Sequence, residues 1–123
     1  MYTTKSAVLI DDSAIDNFVN YKILQNAGFK NVITFTSATS ALQYLSETKV
    51  RFEFIFVDVY MSFIDGFEFI NKFNELKLNR KQGKIYMLTN SLDPSHKSLS
   101  SSMNIKFLEN HWIFMRWTCS ANP

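Results

Sequence analysis

Short apolar runs that end on oxygen-bearing side chains are the feature that most restricts how this chain can fold. Three runs end in this way: residues 7–10 on Asp11, residues 54–57 on Asp58, and residues 85–88 on Thr89. A short continuous apolar run is typical of a strand that is buried on both faces, as in a parallel sheet. Residues 32–35 and 105–108 complete a set of five predicted strands.

Helical periodicity fills the intervals between these runs. Ser13 is a predicted N-cap with Asp16 three residues later, and Gly28 is a predicted helix stop. Residues 37–46 form a second predicted helix, and Asp93-Pro94 begins a further one after the fourth strand. In the first helix the apolar positions at helical spacing are Ile15, Phe18, Val19, Ile23 and Ala27, and in the second they are Ala38, Ala41, Leu42 and Leu45. A third predicted helix follows Gly66, and its residues Phe67, Ile70, Phe73 and Leu76 are predicted to face the sheet.

Strands that alternate with helices predict parallel strands joined by right-handed crossovers, and therefore a doubly wound α/β sheet. In such sheets ligands bind beyond the carboxyl ends of the strands. The oxygen-bearing side chains that follow the strands are therefore expected to meet at one edge of the sheet.

Composition limits the classes of function that fit. A chain of 123 residues with a net charge of +2 predicts one globular domain, residues 1–123, without the basic surface that direct nucleic-acid binding needs. No apolar run approaches the roughly 20 residues of a membrane span, and no signal peptide opens the chain. Cys119 is the single cysteine, so no intrachain disulfide can form. These features predict a cytoplasmic protein without membrane contact.

The strand-end residues suggest a specific chemistry. Asp11, Asp12 and Asp58 would repel one another if they came together, unless a cation neutralised them. Oxygen ligands without histidine or cysteine favour a hard ion such as Mg²⁺ (or Mn²⁺). A carboxylate beside such an ion can attack a phosphoryl group, and the Thr89 hydroxyl could hold a transferred oxygen. Taken singly, each aspartate is more often a helix cap or a turn residue; the set is much harder to explain in that way.

Four segments of the chain resemble the receiver domains of two-component response regulators: "VLIDDS", "IFVDVYMSFIDGFEFI", "IYMLTNS" and "IKFLE". The resemblance extends over about residues 5–109. It implies a CheY-like, flavodoxin-like fold: a five-stranded parallel sheet in the order 2-1-3-4-5 with five flanking helices.

The resemblance also implies roles for individual residues. Asp58 corresponds to the phosphoryl acceptor. Asp12 and Asp58 correspond to direct Mg²⁺ ligands, Asp11 to a ligand that binds mainly through water, and the Tyr60 main-chain carbonyl to a further ligand. Thr89 corresponds to the switch hydroxyl that hydrogen-bonds the phosphoryl group. Phe107 corresponds to the aromatic switch residue, although it is equally well explained as a core residue of a strand. Asp65-Gly66 corresponds to a turn in which glycine can take a positive φ.

The chain departs from the family pattern at Asn110. The family has Lys-Pro after the fifth strand, where the lysine contacts the phosphoryl group, and this chain has Asn110-His111. The tail of residues 110–123 is apolar without a helical period, so the fifth helix is expected to be atypical or missing. Adding one A to a possible coding sequence, AAC CAT TGG, gives AAA CCA TTG, which restores Lys-Pro-Leu. We hypothesise that one nucleotide was lost there; an in-frame Asn-His codon pair at the source locus would refute this.

The resemblance implies a stand-alone receiver rather than an enzyme. It would accept a phosphoryl group from a histidine kinase or phosphotransfer protein and signal to a downstream protein. The face formed by the fourth helix, fifth strand and fifth helix would change conformation and could form a dimer. Two alternatives remain open: a pseudo-receiver that binds proteins without phosphorylation, as Asn110 suggests, and, less well supported, a phosphohydrolase with an aspartyl-phosphate intermediate. The hydrolase would need a second aspartate where Tyr60 stands.

Overall fold

A computed structural model describes residues 5–59, 61, 64–89 and 106–109 of the chain, and for Thr89 and residues 106–109 it describes the backbone alone. Three helices and one 3-10 turn are interspersed with the strands in these ranges. In chain order the elements are β1 (Lys5–Ile10), α1 (Ala14–Asn26), β2 (Phe29–Phe35), α2 (Ala38–Glu47), β3 (Phe54–Asp58), α3 (Gly66–Glu75), a 3-10 turn (Leu78–Arg80), β4 (Lys84–Thr89) and β5 (Lys106–Glu109).

The strands form a parallel sheet with β1 and β3 at its centre. The order β2-β1-β3-β4 agrees with the predicted doubly wound arrangement, and the backbone of β5 is paired alongside β4. Residues Ala7, Val8, Leu9 and Ile10 of β1 lie opposite Phe54, Ile55, Phe56 and Val57 of β3. The α/β class follows from this chain order, because a parallel neighbour can be reached only through a crossover connection.

Alternate residues of the central strands enter two separate apolar cores, because successive side chains of a strand point to opposite faces. One core lies under α2 and α3, and the other lies under α1. The first includes Val8, Ile10, Leu45, Ile55, Val57, Ile70, Phe73 and Met87, and the second includes Ala7, Leu9, Leu24, Ala27, Phe29, Phe56, Tyr86 and Leu88. A sheet that is buried on both faces explains why the central strands β1 and β3 are almost wholly apolar in sequence.

Side-chain caps begin all three helices. The hydroxyl oxygens of Ser13 and Ser37 accept hydrogen bonds from the main-chain N–H groups of Asp16 and Ser40, at 3.2 and 3.3 Å. Asp65 caps α3 by accepting from the N–H of Glu68 at 2.9 Å. Each bond satisfies a donor that the first turn of a helix leaves without a partner. The predicted start of α1 at Ser13 is confirmed.

The orientation of α1 differs from what its apolar spacing suggests. Ile15, Phe18 and Val19 are 76%, 60% and 48% exposed, whereas Asn17 and Asn20 are only 3% and 6% exposed. The helix therefore presents two amides and Leu24 to the sheet and an apolar stripe to the outside. Helical spacing fixes which residues share a face, but hydrogen-bonding partners under the helix decide which face is buried.

The two other helices bury the predicted faces, with one exception. Ala38, Ala41, Leu42 and Leu45 of α2 are buried, as are Phe67, Ile70 and Phe73 of α3. The prediction that Leu76 faces the sheet is wrong, since α3 ends at Glu75 and Leu76 is exposed beyond it. The predicted helix at Asp93-Pro94 and the predicted atypical fifth helix after Asn110 lie outside the described residues.

None of the helices in the described ranges has the length and apolarity that crossing a membrane requires.

Candidate metal and phosphoryl-acceptor site

The register of β1 and β3 places two aspartates side by side at the carboxyl edge of the sheet. Ile10 lies opposite Val57 in this parallel pair. Asp11 is the next residue after Ile10, and Asp58 is the next after Val57. Since parallel strands run in the same direction, both chains reach the edge together and their carboxylates meet there.

Three carboxylates converge at this edge. One oxygen from each of Asp11, Asp12 and Asp58 lies within 4.8 Å of the other two. Asp11 is buried, Asp58 is half-buried and Asp12 is exposed, so the cluster opens to the outside on one side. This spacing brings three oxygens within reach of a single ion.

Burial raises the pKa of Asp11 above its ordinary value of 3.8. The nearby charges of Asp16 and Asp12 raise the pKa further, while hydrogen bonds from the Ser13 main-chain N–H and with the Asp58 side chain act in the opposite direction. A carboxyl whose anionic form is disfavoured by burial and by like charges is one that a bound cation would stabilise. An all-oxygen donor set of this kind fits a hard divalent ion such as Mg²⁺.

Glycine at position 66 is required by a close approach of two backbone segments. A Cβ atom at Gly66 would lie 2.7 Å from the main-chain oxygen of Asp58 and 3.1 Å from Cα of Val59. The Gly66 N–H donates to the Val59 carbonyl at 2.9 Å, and the Val59 N–H donates to the Leu88 carbonyl at 3.0 Å. The expected reason for this glycine, a positive φ, is wrong: within the described ranges the glycine with a positive φ is Gly28, at 99°.

Two residues that the sequence analysis did not assign to the site contact Asp11. The Ser13 N–H donates to Asp11 Oδ1 at 2.9 Å. Asn17 Nδ2 donates to the main-chain oxygen of Asp11 at 2.9 Å and to that of Phe35 at 3.0 Å. The sequence signal for Asn17 is a polar residue one helical turn after the N-cap, which by itself is common on any exposed helix face.

The chain matches the family of response regulator receiver domains over residues 7–105, which is most of its length. It belongs to that family. The converging carboxylates described above therefore lie in a receiver domain, a CheY-like module of two-component signalling.

Solved structures of other receiver domains share the fold. Over 87% of each chain, this receiver is 27% identical to the chemotaxis protein CheY4 of Vibrio cholerae, with a TM-score of 0.75. A response regulator of Cytophaga hutchinsonii is 25% identical over 88% of this chain and 86% of its own, with a TM-score of 0.77. The Mg²⁺ complex of the receiver domain of the Arabidopsis thaliana histidine kinase CKI1, at 20% identity, covers 88% and 84% of the two chains with a TM-score of 0.78.

A comparison with curated protein sequences gives no significant match.

The remaining residues predicted for the receiver's site are described only in part. The β3–β4 register pairs Asp58 with Leu88, so Thr89 ends β4 one residue further along, at the same edge of the sheet. The backbone of Phe107 lies in β5 opposite Met87. The side chains of Thr89 and Phe107, together with Tyr60 and Asn110, lie outside the described residues.

Proposed function

We propose that this receiver domain accepts a phosphoryl group on Asp58 from a histidine kinase or a phosphotransfer protein. The convergence of three carboxylate oxygens within 4.8 Å is the observation that carries this proposal. A cluster of like charges is costly unless it binds a cation, and the combination of a cation with a part-exposed carboxylate is what phosphoryl transfer to aspartate needs. The membership of the family supports the same chemistry.

In the transfer step, an Asp58 carboxylate oxygen attacks the phosphorus atom of a phosphohistidine. A new O–P bond forms while the P–N bond breaks, and the electron pair of that bond returns to the imidazole nitrogen of the donor. Asp58 is half-buried, so part of its side chain is accessible to an incoming phosphoryl group. A carboxylate attacks as the anion and has no proton to lose, so this step needs no general base.

Asp11, Asp12 and Asp58, with the main-chain carbonyl of Tyr60, would hold Mg²⁺ or Mn²⁺. When bound, the ion supplies positive charge that offsets the phosphoryl oxygens and the carboxylates. The Mg²⁺ complex of the CKI1 receiver supports this assignment by analogy of fold.

Thr89 and Phe107 are proposed as the residues that transmit the change. In this proposal the Thr89 hydroxyl hydrogen-bonds the phosphoryl group, and Phe107 moves with it. The complete fold would have five strands in the order 2-1-3-4-5, and the face of the fourth helix, fifth strand and fifth helix would contact a downstream protein or a second copy of the chain. The receiver would act in the cytoplasm, in which histidine kinases have access to ATP.

The exposed stripe of α1 is proposed as the surface that receives the phosphoryl donor. Ile15, Phe18 and Val19 follow the i, i+3, i+4 spacing that packs against another helix. The stripe begins three residues after Asp12, whose carboxylate lies within 4.8 Å of that of Asp58, so a helix that packs on the stripe would lie near the acceptor. Lys22 Nζ lies 5.5 Å from the Phe18 ring centroid and adds a positive charge at the rim, suited to an acidic donor surface.

A pseudo-receiver remains the second candidate, and Asn110 favours it. A neutral amide at this position supplies no charge to a phosphoryl dianion. A domain of this kind would keep the binding surfaces and would not be controlled by phosphorylation.

One experiment separates the two candidates. The purified chain is incubated with Mg²⁺ and acetyl phosphate, and intact mass is followed with time. The receiver gains one phosphoryl group, and Asp58→Asn abolishes the gain, whereas Asp16→Asn, which removes an exposed carboxylate nearby, retains it. The absence of an adduct with acetyl phosphate and with beryllofluoride would favour the pseudo-receiver. Continuous release of phosphate without an adduct would favour a hydrolase.

A further inference from the structure

We infer that Asn17 is a positioning residue for the acidic site, and that its side-chain amide holds the β1–α1 turn where Asp11 and Asp12 can share an ion. This inference rests on the proposed function and deepens it. The observation behind it is a single buried side chain that ties together three elements: α1, the end of β1 and the end of β2.

The contacts fix the main chain of Asp11 from both sides. Its N–H donates to the Phe35 carbonyl at 3.1 Å, and its own carbonyl accepts from Asn17 Nδ2 at 2.9 Å. The same Nδ2 donates to the Phe35 carbonyl at 3.0 Å. Both neighbours of the amide are carbonyl acceptors, so the NH₂ group must face them, and the orientation of the amide is determined by its surroundings.

The Asp11 carbonyl needs a partner because of where it lies, whereas the Phe35 carbonyl already accepts from the Asp11 N–H. Phe35 is the last residue of β2, and Asp11 immediately follows the last residue of β1. At a strand end the sheet ladder no longer supplies donors, and a buried carbonyl must be satisfied by a side chain or by water. Asn17 is only 3% exposed and supplies both bonds from one amino group.

The acceptor end of the same amide indicates that packing stability alone does not explain the residue. Asn17 Oδ1 is buried and has no hydrogen-bond partner among the residues that the structure describes. A buried acceptor without a partner costs stability, and this cost offsets part of what the two donated bonds contribute. The unpartnered oxygen lowers what the amide contributes to stability, while the two donated bonds still restrain the turn.

A restraint at this point matters for the ion. Asp11, Asp12 and Asp58 repel one another, so a turn without the restraint would move its two carboxylates away from Asp58 when the ion is absent. If the carboxylates separate in the absence of the ion, binding must bring them back together, and the free-energy cost of that step lowers the metal affinity. Removing a residue that supports metal ligands commonly has this effect.

The test compares variants of two buried asparagines on the same helix face. Asn17→Leu has nearly the same size as the original side chain and lacks the donors, and Asn17→Gln keeps the amide. Asn20→Leu is the matched control, since Asn20 is 6% exposed and lies one turn further from the acidic cluster. Mn²⁺ affinity is measured by electron paramagnetic resonance, thermal unfolding by circular dichroism, and amide exchange by NMR in EDTA.

We expect Asn17→Leu to bind Mn²⁺ at least about tenfold more weakly than the wild type, with partial recovery in Asn17→Gln and a change below about twofold in Asn20→Leu. In EDTA, the amides of Asp11 and Ser13 should exchange faster in Asn17→Leu, while the amide of Leu45 on the opposite face is unchanged. Equal Mn²⁺ affinity in Asn17→Leu and Asn20→Leu would overturn the inference, as would unchanged exchange of the Asp11 amide.

Failure of the proposed function gives a different result. If the wild-type chain binds no Mn²⁺ and forms no adduct, the phosphoryl-accepting role fails, whatever the variants do. If Asn17→Leu does not fold, the Mn²⁺ affinity of Asn17→Ala against Asn20→Ala decides, since both variants remove the amide: a loss confined to position 17 supports the inference, and equal affinities overturn it.

Discussion

The carboxylate of Asp58 lies within 4.8 Å of that of Asp11, although one residue ends β3 and the other follows β1. The relationship is a consequence of register, because Ile10 and Val57 are opposite each other and the next residue of each strand is an aspartate. Two strands with this register cannot reach the sheet edge without bringing the two charges together. The proposed ion site follows from that contact.

Removing the charge of Asp12 is expected to weaken Mg²⁺ binding while leaving the fold intact. Asp12 is exposed, so in the proposed site its carboxylate would bind the ion, and it contributes little to the core. We expect Asp12→Asn to lower Mg²⁺ affinity by about tenfold or more, measured by isothermal titration calorimetry. Asp65→Asn is the control, since Asp65 is an exposed aspartate that caps α3. An affinity equal to that of the wild type would remove Asp12 from the ligand set.

Stability of the metal-free protein is expected to fall as pH rises through the titration of Asp11. Folding raises the pKa of this carboxyl, mainly by burial, so the folded state binds the proton more tightly than the unfolded chain. The free energy of unfolding then decreases with increasing pH, from the ordinary value of 3.8 up to the raised pKa, and the loss persists above it.

Asp11→Asn isolates this effect from the other carboxylates. In EDTA, the variant should gain stability relative to the wild type as pH rises, and the two should converge near and below pH 3.8. Each pKa unit of the shift corresponds to about 1.4 kcal/mol. With saturating Mg²⁺ at neutral pH, the wild type should instead have the larger free energy of unfolding of the two, because it is expected to bind the ion more tightly than Asp11→Asn. Urea unfolding at several pH values measures both; a stability difference that does not vary with pH would contradict the expectation.

A negative charge in the α1 stripe is expected to block transfer from a protein donor and to spare transfer from a small one. Phe18 is 60% exposed, so Phe18→Asp removes an apolar contact without opening the core. We expect phosphorylation by a phosphorylated kinase domain to slow by about tenfold or more, with the acetyl phosphate rate unchanged. Val50→Asp, an exposed apolar site outside α1, serves as the control. Equal slowing by both variants, or by neither, would refute a donor surface on α1.

A methyl group at Gly66 is expected to disturb the backbone that carries the acceptor. The Cβ of Gly66→Ala would meet the main-chain oxygen of Asp58 at 2.7 Å, closer than real Cβ atoms come to backbone. We expect a loss of about 1–3 kcal/mol in the free energy of unfolding, with weaker Mg²⁺ binding because Asp58 shifts. Gln82→Ala is a useful comparison, because Gln82 stabilises the loop before β3. Its Oε1 accepts from the Phe52 N–H at 2.8 Å, and its Nε2 donates to the Val50 carbonyl at 3.0 Å. It should lose stability without losing Mg²⁺ affinity.

The sequence determined the sheet and the meeting of the three aspartates because both depend on local pattern. Apolar runs that must be buried on two faces can form only a covered parallel sheet, and Asp11 and Asp58 directly follow or end such runs. The same reasoning placed α2 and most of α3 correctly, where a single apolar face meets an apolar sheet.

Tertiary structure alone decided how α1 is turned. Its apolar spacing gave no indication that Ile15, Phe18 and Val19 would face outward and Asn17 would be buried. The reason is that the Asp11 carbonyl, just after β1, needs a donor, and which helix residue supplies it depends on where that strand end lies in space. The reason for glycine at position 66 is also a contact between distant segments. A Cβ atom there would collide with the main-chain oxygen of Asp58, and the φ angle of Gly66 itself does not require glycine. The sequence sets the spacing of apolar and polar residues, but contacts between distant segments decide which face of a helix is buried and which polar groups are buried with it.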